Sequence, residues 1–239
     1  MKKELAIIIQ ARTGSKRFPN KVLKRINGMS VLEILIKRII KSKISKKIIV
    51  TTTNNSEDIK IVKLCKKNKI NFYTGSKNNL IKRFIDTSKH FGVKNFVQLT
   101  ADNPLIDLSV LRKMISIFNK KKYVYVTNSQ IRTFPIGMDI RIFDLSALKK
   151  VKQIQSNYPE HISYFFTKHF KKIKSYNLVA SKKLHRPDLR LTIDYKEDFI
   201  LIKKIISKVS NFHQLNLSKI ISILDNNPEF KKINIKYDR

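Results

Sequence analysis

The sequence predicts an α/β fold in which helices flank a mostly parallel central sheet. Short runs rich in Ile, Val and Leu alternate with segments whose apolar residues recur at helical spacing. This alternation is typical of parallel strands joined by right-handed helical crossovers. The chain has 239 residues, of which 42% are hydrophobic. That length and composition suit a single domain spanning residues 1–239 with a substantial core.

The first half of the chain shows the alternation most clearly. Short apolar runs predict strands at residues 5–10, 47–52, 70–73 and 95–100. Helical spacing predicts helices at residues 31–41, 56–68, 80–90 and 108–118. Three of these helices follow residues that commonly cap helix N-termini, namely Ser30, Asn55 or Ser56, and Asp107.

The pattern changes after a fifth predicted strand at residues 123–127. Residues 138–143 alternate like an exposed strand, which predicts a small β excursion after the fifth strand. The remaining patterns predict strands at 175–179 and 189–193 and helices at 158–169, 199–209 and 217–224.

The charge of the chain is strongly positive, since 51 Lys and Arg against 17 Asp and Glu give +34. Such a charge suits a nucleic-acid binder. However, the basic residues are spread along the whole chain, Lys far outnumbers Arg, and no helix-turn-helix, RRM or KH motif is found. We therefore expect no specific nucleic-acid partner, and a positive field that attracts anionic substrates.

A cytoplasmic location without membrane insertion is expected. No apolar run is long enough to span a bilayer. The apolar run at residues 5–9 follows two lysines, but it is too short for a signal peptide. Cys65 is the only cysteine, which excludes an intramolecular disulfide and a cysteine-based zinc site.

The loop after the first strand has the composition of a phosphate-binding loop. Residues 10–21 read QARTGSKRFPNK, with four cations, one glycine and two hydroxyls. Gly14 permits backbone conformations that aim successive N–H groups at one anion. Arg12, Arg17 and Lys21 can neutralise a triphosphate. The loop matches neither the Walker A pattern nor Gly-x-Gly-x-x-Gly, and the alternative is a solvated basic turn.

Two carboxylates follow predicted strands. Asp102 comes after the fourth strand and before Pro104, and Asp194 comes after the strand at 189–193. Carboxylates at the ends of separate strands can hold a hard divalent cation that bridges phosphate oxygens. A turn or helix cap is the alternative for Asp102, and Asp198 is predicted to cap the next helix or face solvent.

The phosphate loop resembles the signature of the CMP-sugar synthetases. The pattern Ala-Arg-x-Gly-Ser-x-Arg-x-Pro-x-Lys follows an Ile-rich first strand, and the resemblance runs from Ile7 to about Ile206. It points to the branch similar to spore-coat-polysaccharide cytidylyltransferases. The resemblance implies a Rossmann-like nucleotidyltransferase fold. It also implies transfer of CMP from CTP to an acidic sugar, Kdo-like or nonulosonic, with release of pyrophosphate, for surface polysaccharide biosynthesis.

The resemblance also implies roles for residues near the nucleotide. Asp102 matches the family's Asp-x-Pro-Leu-Ile metal stretch, and Asp194 resembles the second ligand, so both are expected to bind Mg²⁺. The catalytic residues implied are Arg12, Lys21, Asp102 and Asp194. The residues expected to bind CTP are Gln10, Ala11, Arg12, Gly14, Ser15, Arg17, Lys21, Thr52 and Thr53.

A second segment resembles the part of the family that binds the acceptor sugar. Residues 135–139 match its Pro-x-Gly-x-Asp pattern, and His161 matches the histidine of its Glu-His pair. The expected acceptor-binding residues are Gln98, Arg132, Gly137, Asp139 and His161, although a structural role for Asp139 remains open. The acceptor segment, about residues 128–185, is also expected to support a possible homodimer, as in relatives.

Other functions remain open at this point. The choice of CTP over UTP comes from the resemblance alone, so another nucleoside triphosphate or a sugar phosphate acceptor is an alternative. A glycosyltransferase would use similar metal carboxylates without releasing pyrophosphate from CTP. A basic nucleic-acid-binding protein would show binding that depends steeply on salt.

Overall fold

The computed structural model describes residues 5–120, 123–154 and 162–237. Nine strands lie within these ranges. They are β1 Leu5–Gln10, β2 Arg25–Ile26, β3 Met29–Ser30, β4 Ile48–Thr53, β5 Asn71–Gly75, β6 Asn95–Thr100, β7 Tyr125–Thr127, β8 Arg141–Asp144 and β9 Ser175–Asn177.

Helices connect and flank the strands. In the described ranges they are α1 Val31–Ser42, α2 Ile59–Lys67, α3 Leu80–His90, α4 Leu108–Lys120, α5 Leu145–Ile154, α6 Tyr164–Lys168, α7 Lys196–Ser207, α8 Leu217–Asp225 and α9 Pro228–Lys231. Ser30 caps α1 with a full capping box, in which its side chain accepts from the Glu33 amide.

The strands of the described part build one seven-stranded sheet in the order β5-β4-β1-β6-β8-β7-β9, and β2 pairs with β3 in a separate hairpin. The first four strands of that order run parallel, while β8 runs antiparallel to both β6 and β7. The carboxyl ends of β1, β4 and β6 therefore meet at one edge of the sheet, where ligands bind in open α/β folds.

Two apolar layers cover the sheet. Alternation along β1 sends Ile7 and Ile9 into one core and Ala6 and Ile8 into the other. The first core contains residues of α1, α4, α7 and α8, and the second contains residues of α3, α5 and α6. Both faces of the central strands are thus buried, which explains why their sequences are continuous apolar runs.

Most predicted elements are confirmed. The predicted bounds of β1, α3 and β6 match the structure, and Asp107 caps α4 through a hydrogen bond from the Val110 amide of 2.9 Å. The helix predicted at 158–169 appears as α6, and residues 158–161 of the predicted helix lie outside the described residues. Among the described helices, none combines the length and apolarity needed to cross a bilayer.

Two local predictions are wrong. The strand expected to be exposed at 138–143 is instead buried, with Ile140, Ile142 and Phe143 inaccessible, because β8 lies inside the sheet between β6 and β7. The strand expected at 189–193 is an extended segment with a single bridge between Arg190 and Ile136. Helix α5 and the β2–β3 hairpin were not predicted, although the Asn27-Gly28 turn of the hairpin is a known hairpin signal.

A buried arginine ties the loop after β6 to the C-terminal part of the chain. Arg38 in α1 is fully buried, and its guanidinium donates to the carbonyls of Pro104 at 2.8 Å, Ile106 at 3.0 Å and Leu215 at 2.5 Å. These bonds fix the loop that carries Asp102 against α1. Burial lowers the pKa of Arg38 to about 10, partly offset by Asp107.

Replacing Arg38 by leucine should destabilise the protein by about 3 kcal/mol, because three buried carbonyls would lose their donors. Urea unfolding measures the change. Lys37→Ala is the control, since Lys37 is exposed on the same helix and should change stability by less than about 0.5 kcal/mol. An Arg38→Leu variant as stable as the control would contradict the structural role of Arg38.

Candidate active site

The loops that follow β1, β4 and β6 converge at one edge of the sheet. Main-chain hydrogen bonds align them, since the Ala11 amide donates to Thr51 and the Ala101 amide donates to Gln10, each at 3.0 Å. The Ile193 amide donates to the Asp102 carbonyl at 2.9 Å. Asp102 and Asp194, which are 92 positions apart, are therefore brought to the same edge.

Lys21 lies between the two carboxylates. Its Nζ is 2.6 Å from Oδ2 of Asp102 and 2.7 Å from Oδ1 of Asp194, and the residue is only 8% exposed. Burial acts to raise the pKa of Asp194, but the cations Lys21, Arg17 and Arg190 outweigh this effect and lower it. The site therefore holds Asp194 as a carboxylate at neutral pH.

The two carboxylates fit a hard divalent cation. Their oxygens converge on one cationic atom, the Nζ of Lys21, so they can also converge on a metal ion. Among the described residues, no group of three or more His, Cys, Asp or Glu forms a complete metal cage. Mg²⁺ typically takes one or two protein carboxylates and completes its octahedral shell with water and substrate phosphates, which matches this donor set.

Two arginines also contact the carboxylate of Asp194. Oδ1 is 3.0 Å from Arg17, and Oδ2 is 2.8 Å from Arg190. Arg190 in turn contacts Asp198 at 3.1 Å, and Asp198 accepts hydrogen bonds from the amides of Asp194 and Tyr195, each at 2.9 Å. Asp198 thus caps α7 as expected, but it is fully buried and does not face solvent.

Asp58 joins the phosphate loop to the tip of β4. Its Oδ1 accepts from the amide and the hydroxyl of Thr13, both at 2.7 Å, and its Oδ2 accepts from the amide and the hydroxyl of Thr53. The Thr13 carbonyl also accepts from Ser15 at 2.8 Å and Asn20 at 3.0 Å, which closes the loop. Asp58 was not identified from the sequence, although a carboxylate five residues after the polar end of β4 was a usable signal.

The other predicted nucleotide residues line the same edge. Arg12 and Gly14 are exposed, Ser15 is half-buried and Ala11 is buried. The Thr52 hydroxyl is buried and has no partner within the described part of the chain. The Thr53 side chain is bound to Asp58, which gives it a structural contact.

Arg83 in α3 is a further cation that the sequence analysis missed. It is buried, donates to the Ser76 carbonyl at 2.9 Å, and feels the charges of Arg12 and Asp58. Burial, followed by repulsion from Arg12, lowers the pKa of Arg83 to about 10. Arg83 shares a helix face with Leu80, Phe84 and Thr87, of which Phe84 and Thr87 are fully buried, and a cation on that face was the signal in the sequence.

The predicted acceptor residues form a second polar group. Gln98 donates to the side chain of Gln10 at 2.9 Å and stands opposite Arg141 in the β6–β8 register. Asp139 is bound by Arg132 at 2.5 Å and by Arg141 at 3.3 Å. This group is linked to the phosphate loop through Gln10. His161 lies outside the described residues.

Gly137 makes a close backbone approach. Its φ is +99°, and a Cβ there would lie 2.4 Å from the Thr192 amide nitrogen. The neighbouring Ile136 exchanges hydrogen bonds with Leu189 at 2.9 Å and Leu191 at 2.6 Å. Gly137 thus fixes the extended segment that ends in Asp194.

Known proteins resemble this chain in sequence and in fold. The family model for cytidylyltransferases matches residues 6–230. A solved cytidylyltransferase from Leptospira borgpetersenii superposes with a TM-score of 0.90 at 32% identity, covering 95% of this chain and 96% of that one. The chain therefore belongs to the cytidylyltransferase family, and it has the α/β nucleotidyltransferase fold.

Two relatives carry names that refer to sugars or polysaccharides. The spore coat polysaccharide biosynthesis protein SpsF of Bacillus subtilis is 28% identical over 95% of this chain and 96% of its own. A 3-deoxy-manno-octulosonate cytidylyltransferase of Wigglesworthia glossinidia brevipalpis is 33% identical over 63% of this chain and 60% of its own.

Gly137→Ala should destabilise the protein by more than about 2 kcal/mol, because it adds a backbone clash to the strain of a positive φ. Thermal unfolding measures the loss. Gly92→Ala is the matched control, since Gly92 has φ +62° but open space around its Cβ position. That variant should lose only about 1 kcal/mol from strain. Equal losses in the two variants would rule out the clash.

Asp58→Asn should cost about 2 kcal/mol at pH 7, because a charged acceptor of four hydrogen bonds becomes a neutral amide. Burial acts to raise the pKa of Asp58, but hydrogen bonds from Thr53 and Thr13 outweigh it and lower the pKa. The stabilisation by wild-type Asp58 is therefore complete above its unfolded pKa of about 4 and is lost as pH falls through its folded pKa. Urea unfolding of both proteins at pH 7 and pH 3 checks this, and a stability gap that does not narrow at pH 3 contradicts it.

Proposed function

We propose that this cytidylyltransferase transfers CMP from CTP to an acidic sugar with the help of Mg²⁺. The observation that carries the proposal is the Lys21–Asp102–Asp194 cluster at the end of β1 and β6, next to a cationic loop. The family accounts for the nucleotide and the reaction type. The cluster supplies the carboxylates and cations that such a reaction needs.

The proposed reaction is an in-line displacement at the α-phosphorus of CTP. A hydroxyl oxygen of the sugar forms a bond to this phosphorus and releases its proton to water, while the bond from the phosphorus to the oxygen of the β-phosphate breaks and pyrophosphate leaves. Arg12 and Arg17 bind the triphosphate, and Lys21 stabilises the charge that develops on it. Asp102 and Asp194 would hold Mg²⁺, which neutralises phosphate charge when bound.

An acidic acceptor suits the second polar group. Arg132 and Arg141 both contact Asp139, so this group has two guanidinium cations and one carboxylate. A guanidinium fork matches the geometry of a sugar carboxylate. The net charge of +34 favours approach of an anionic acceptor. The names of the SpsF and 3-deoxy-manno-octulosonate relatives support a role in surface polysaccharide biosynthesis.

A homodimer is also part of the proposal. The segment expected to form it carries Ile131 and Val179, whose side chains are exposed near the edge strand β9. Exposed apolar residues beside a sheet edge favour association with another copy.

Purified protein should release pyrophosphate from CTP with Mg²⁺ and one member of a panel of Kdo and nonulosonic acids. Asp102→Asn should lower the rate at least about 100-fold, because it removes one of the two carboxylates proposed to hold Mg²⁺ beside the reacting phosphate. Pyrophosphate detection measures the rate, and EDTA should abolish it.

The matched control is Asp86→Asn, which removes a carboxylate that pairs with Lys82 on the surface of α3. Its rate should stay within about two-fold of wild type. Release of pyrophosphate from UTP or GTP, but not from CTP, would contradict the proposal that CTP is the substrate. An Asp102→Asn variant as active as the control would contradict the role of the carboxylate.

A further inference from the structure

We propose that residues 233–237, here called the C-terminal segment, position Asp194 and Arg17 in the active site. Asn234 and Tyr237 are its positioning residues. The segment follows the region matched by the family model, which ends at residue 230. The inference rests on the proposed function, because it assigns the segment a role in that reaction.

Asn234 acts on Asp198. It is 3% exposed, and its Nδ2 donates to Oδ1 of Asp198 at 2.8 Å and to the Arg190 carbonyl at 3.1 Å. One amide group therefore holds both the buried carboxylate and the backbone of the arginine that contacts it. A side chain without this donor would leave two buried acceptors short of a hydrogen bond.

Asp198 passes this constraint to Asp194. It accepts from the Asp194 amide at 2.9 Å and from Nε of Arg190 at 3.1 Å, and Arg190 lies 2.8 Å from Oδ2 of Asp194. The backbone of Asp194 is thus linked to Asn234 through Asp198, and its carboxylate is linked to Asn234 through Arg190. Groups that orient a ligand carboxylate in this way tune the binding of a metal ion.

Tyr237 acts on Arg17 through a second aromatic ring. Its ring stacks on Tyr195 with centroids 3.7 Å apart and planes inclined by 3°. The guanidinium carbon of Arg17 lies 5.0 Å from the centroid of the Tyr195 ring, and Arg17 also contacts Asp194 at 3.0 Å. The Tyr237 hydroxyl donates to Glu197 at 3.1 Å, which fixes the segment on α7.

The two contacts give different kinetic effects. Asn234→Ala should lower kcat and the affinity for Mn²⁺ measured with CTP by about 10-fold each, because Asp194 loses its orientation. Tyr237→Ala should raise KM for CTP about five-fold, because the Tyr195 ring that contacts Arg17 loses the ring stacked on it. Tyr237→Phe keeps the stacked ring and should restore a KM within about two-fold of wild type.

The matched control is Asn227→Ala. Asn227 lies between α8 and α9, and its Nδ2 donates to the Ile223 carbonyl at 2.7 Å, away from the carboxylates. A purely structural effect would lower the melting temperature of both asparagine variants without changing Mn²⁺ affinity. Circular dichroism establishes that each variant is folded, electron paramagnetic resonance measures bound Mn²⁺, and pyrophosphate release gives kcat and KM.

The results separate the two proposals. A folded Asn234→Ala variant with wild-type Mn²⁺ affinity and kcat overturns the positioning role, and so does an Asn227→Ala variant with equal losses. If wild-type protein releases no pyrophosphate with any nucleotide and sugar, while its Mn²⁺ binding with CTP still depends on Asn234, the proposed reaction is wrong and the positioning role stands.

Discussion

The contact of one lysine with two aspartates organises this molecule. Lys21 follows β1, Asp102 follows β6, and Asp194 precedes α7, so a single ammonium group joins three distant parts of the chain. Burying one carboxylate without a cation would be costly. Two residues outside the cluster hold its loops in place. Arg38 fixes the loop after β6, and Gly137 allows its own segment to pack closely against Leu191 and Thr192, just before Asp194.

The parallel half of the fold could be predicted from the sequence because local patterns determine it. Buried strands such as β1 are continuous apolar runs, and helices such as α1 begin at a capping residue. The antiparallel insertion of β8 between β6 and β7 could not be predicted, because strand pairing there depends on packing between distant parts of the chain. The alternation at 138–143 indicated a strand correctly. Alternation alone cannot show that both faces of that strand are buried, as they are here, with Ile142 in one core and Phe143 in the other.

The candidate site divides in the same way. Lys21, Asp102 and Asp194 were predicted because each lies in a loop that follows a predicted strand. The structure brings the three side chains into contact. Asp58 and Asn234 were missed, because each acts through other side chains whose proximity depends on the complete fold. Charge at a strand end is readable from sequence, whereas the hydrogen bonds that orient it are long-range.

The carboxylate of Asp58 has a consequence for the cost of binding a nucleotide. It fixes the start of the phosphate loop to β4 through Thr13 and Thr53, both of which are buried. A flexible loop would lose conformational entropy when it closes on a triphosphate, at about 1–2 kcal/mol for each residue ordered. Here the start of the loop is ordered during folding, so that part of the entropy would be lost before a nucleotide arrives. In the proposed reaction the loop is therefore preorganised, and more of its interaction with the anion would be retained as affinity.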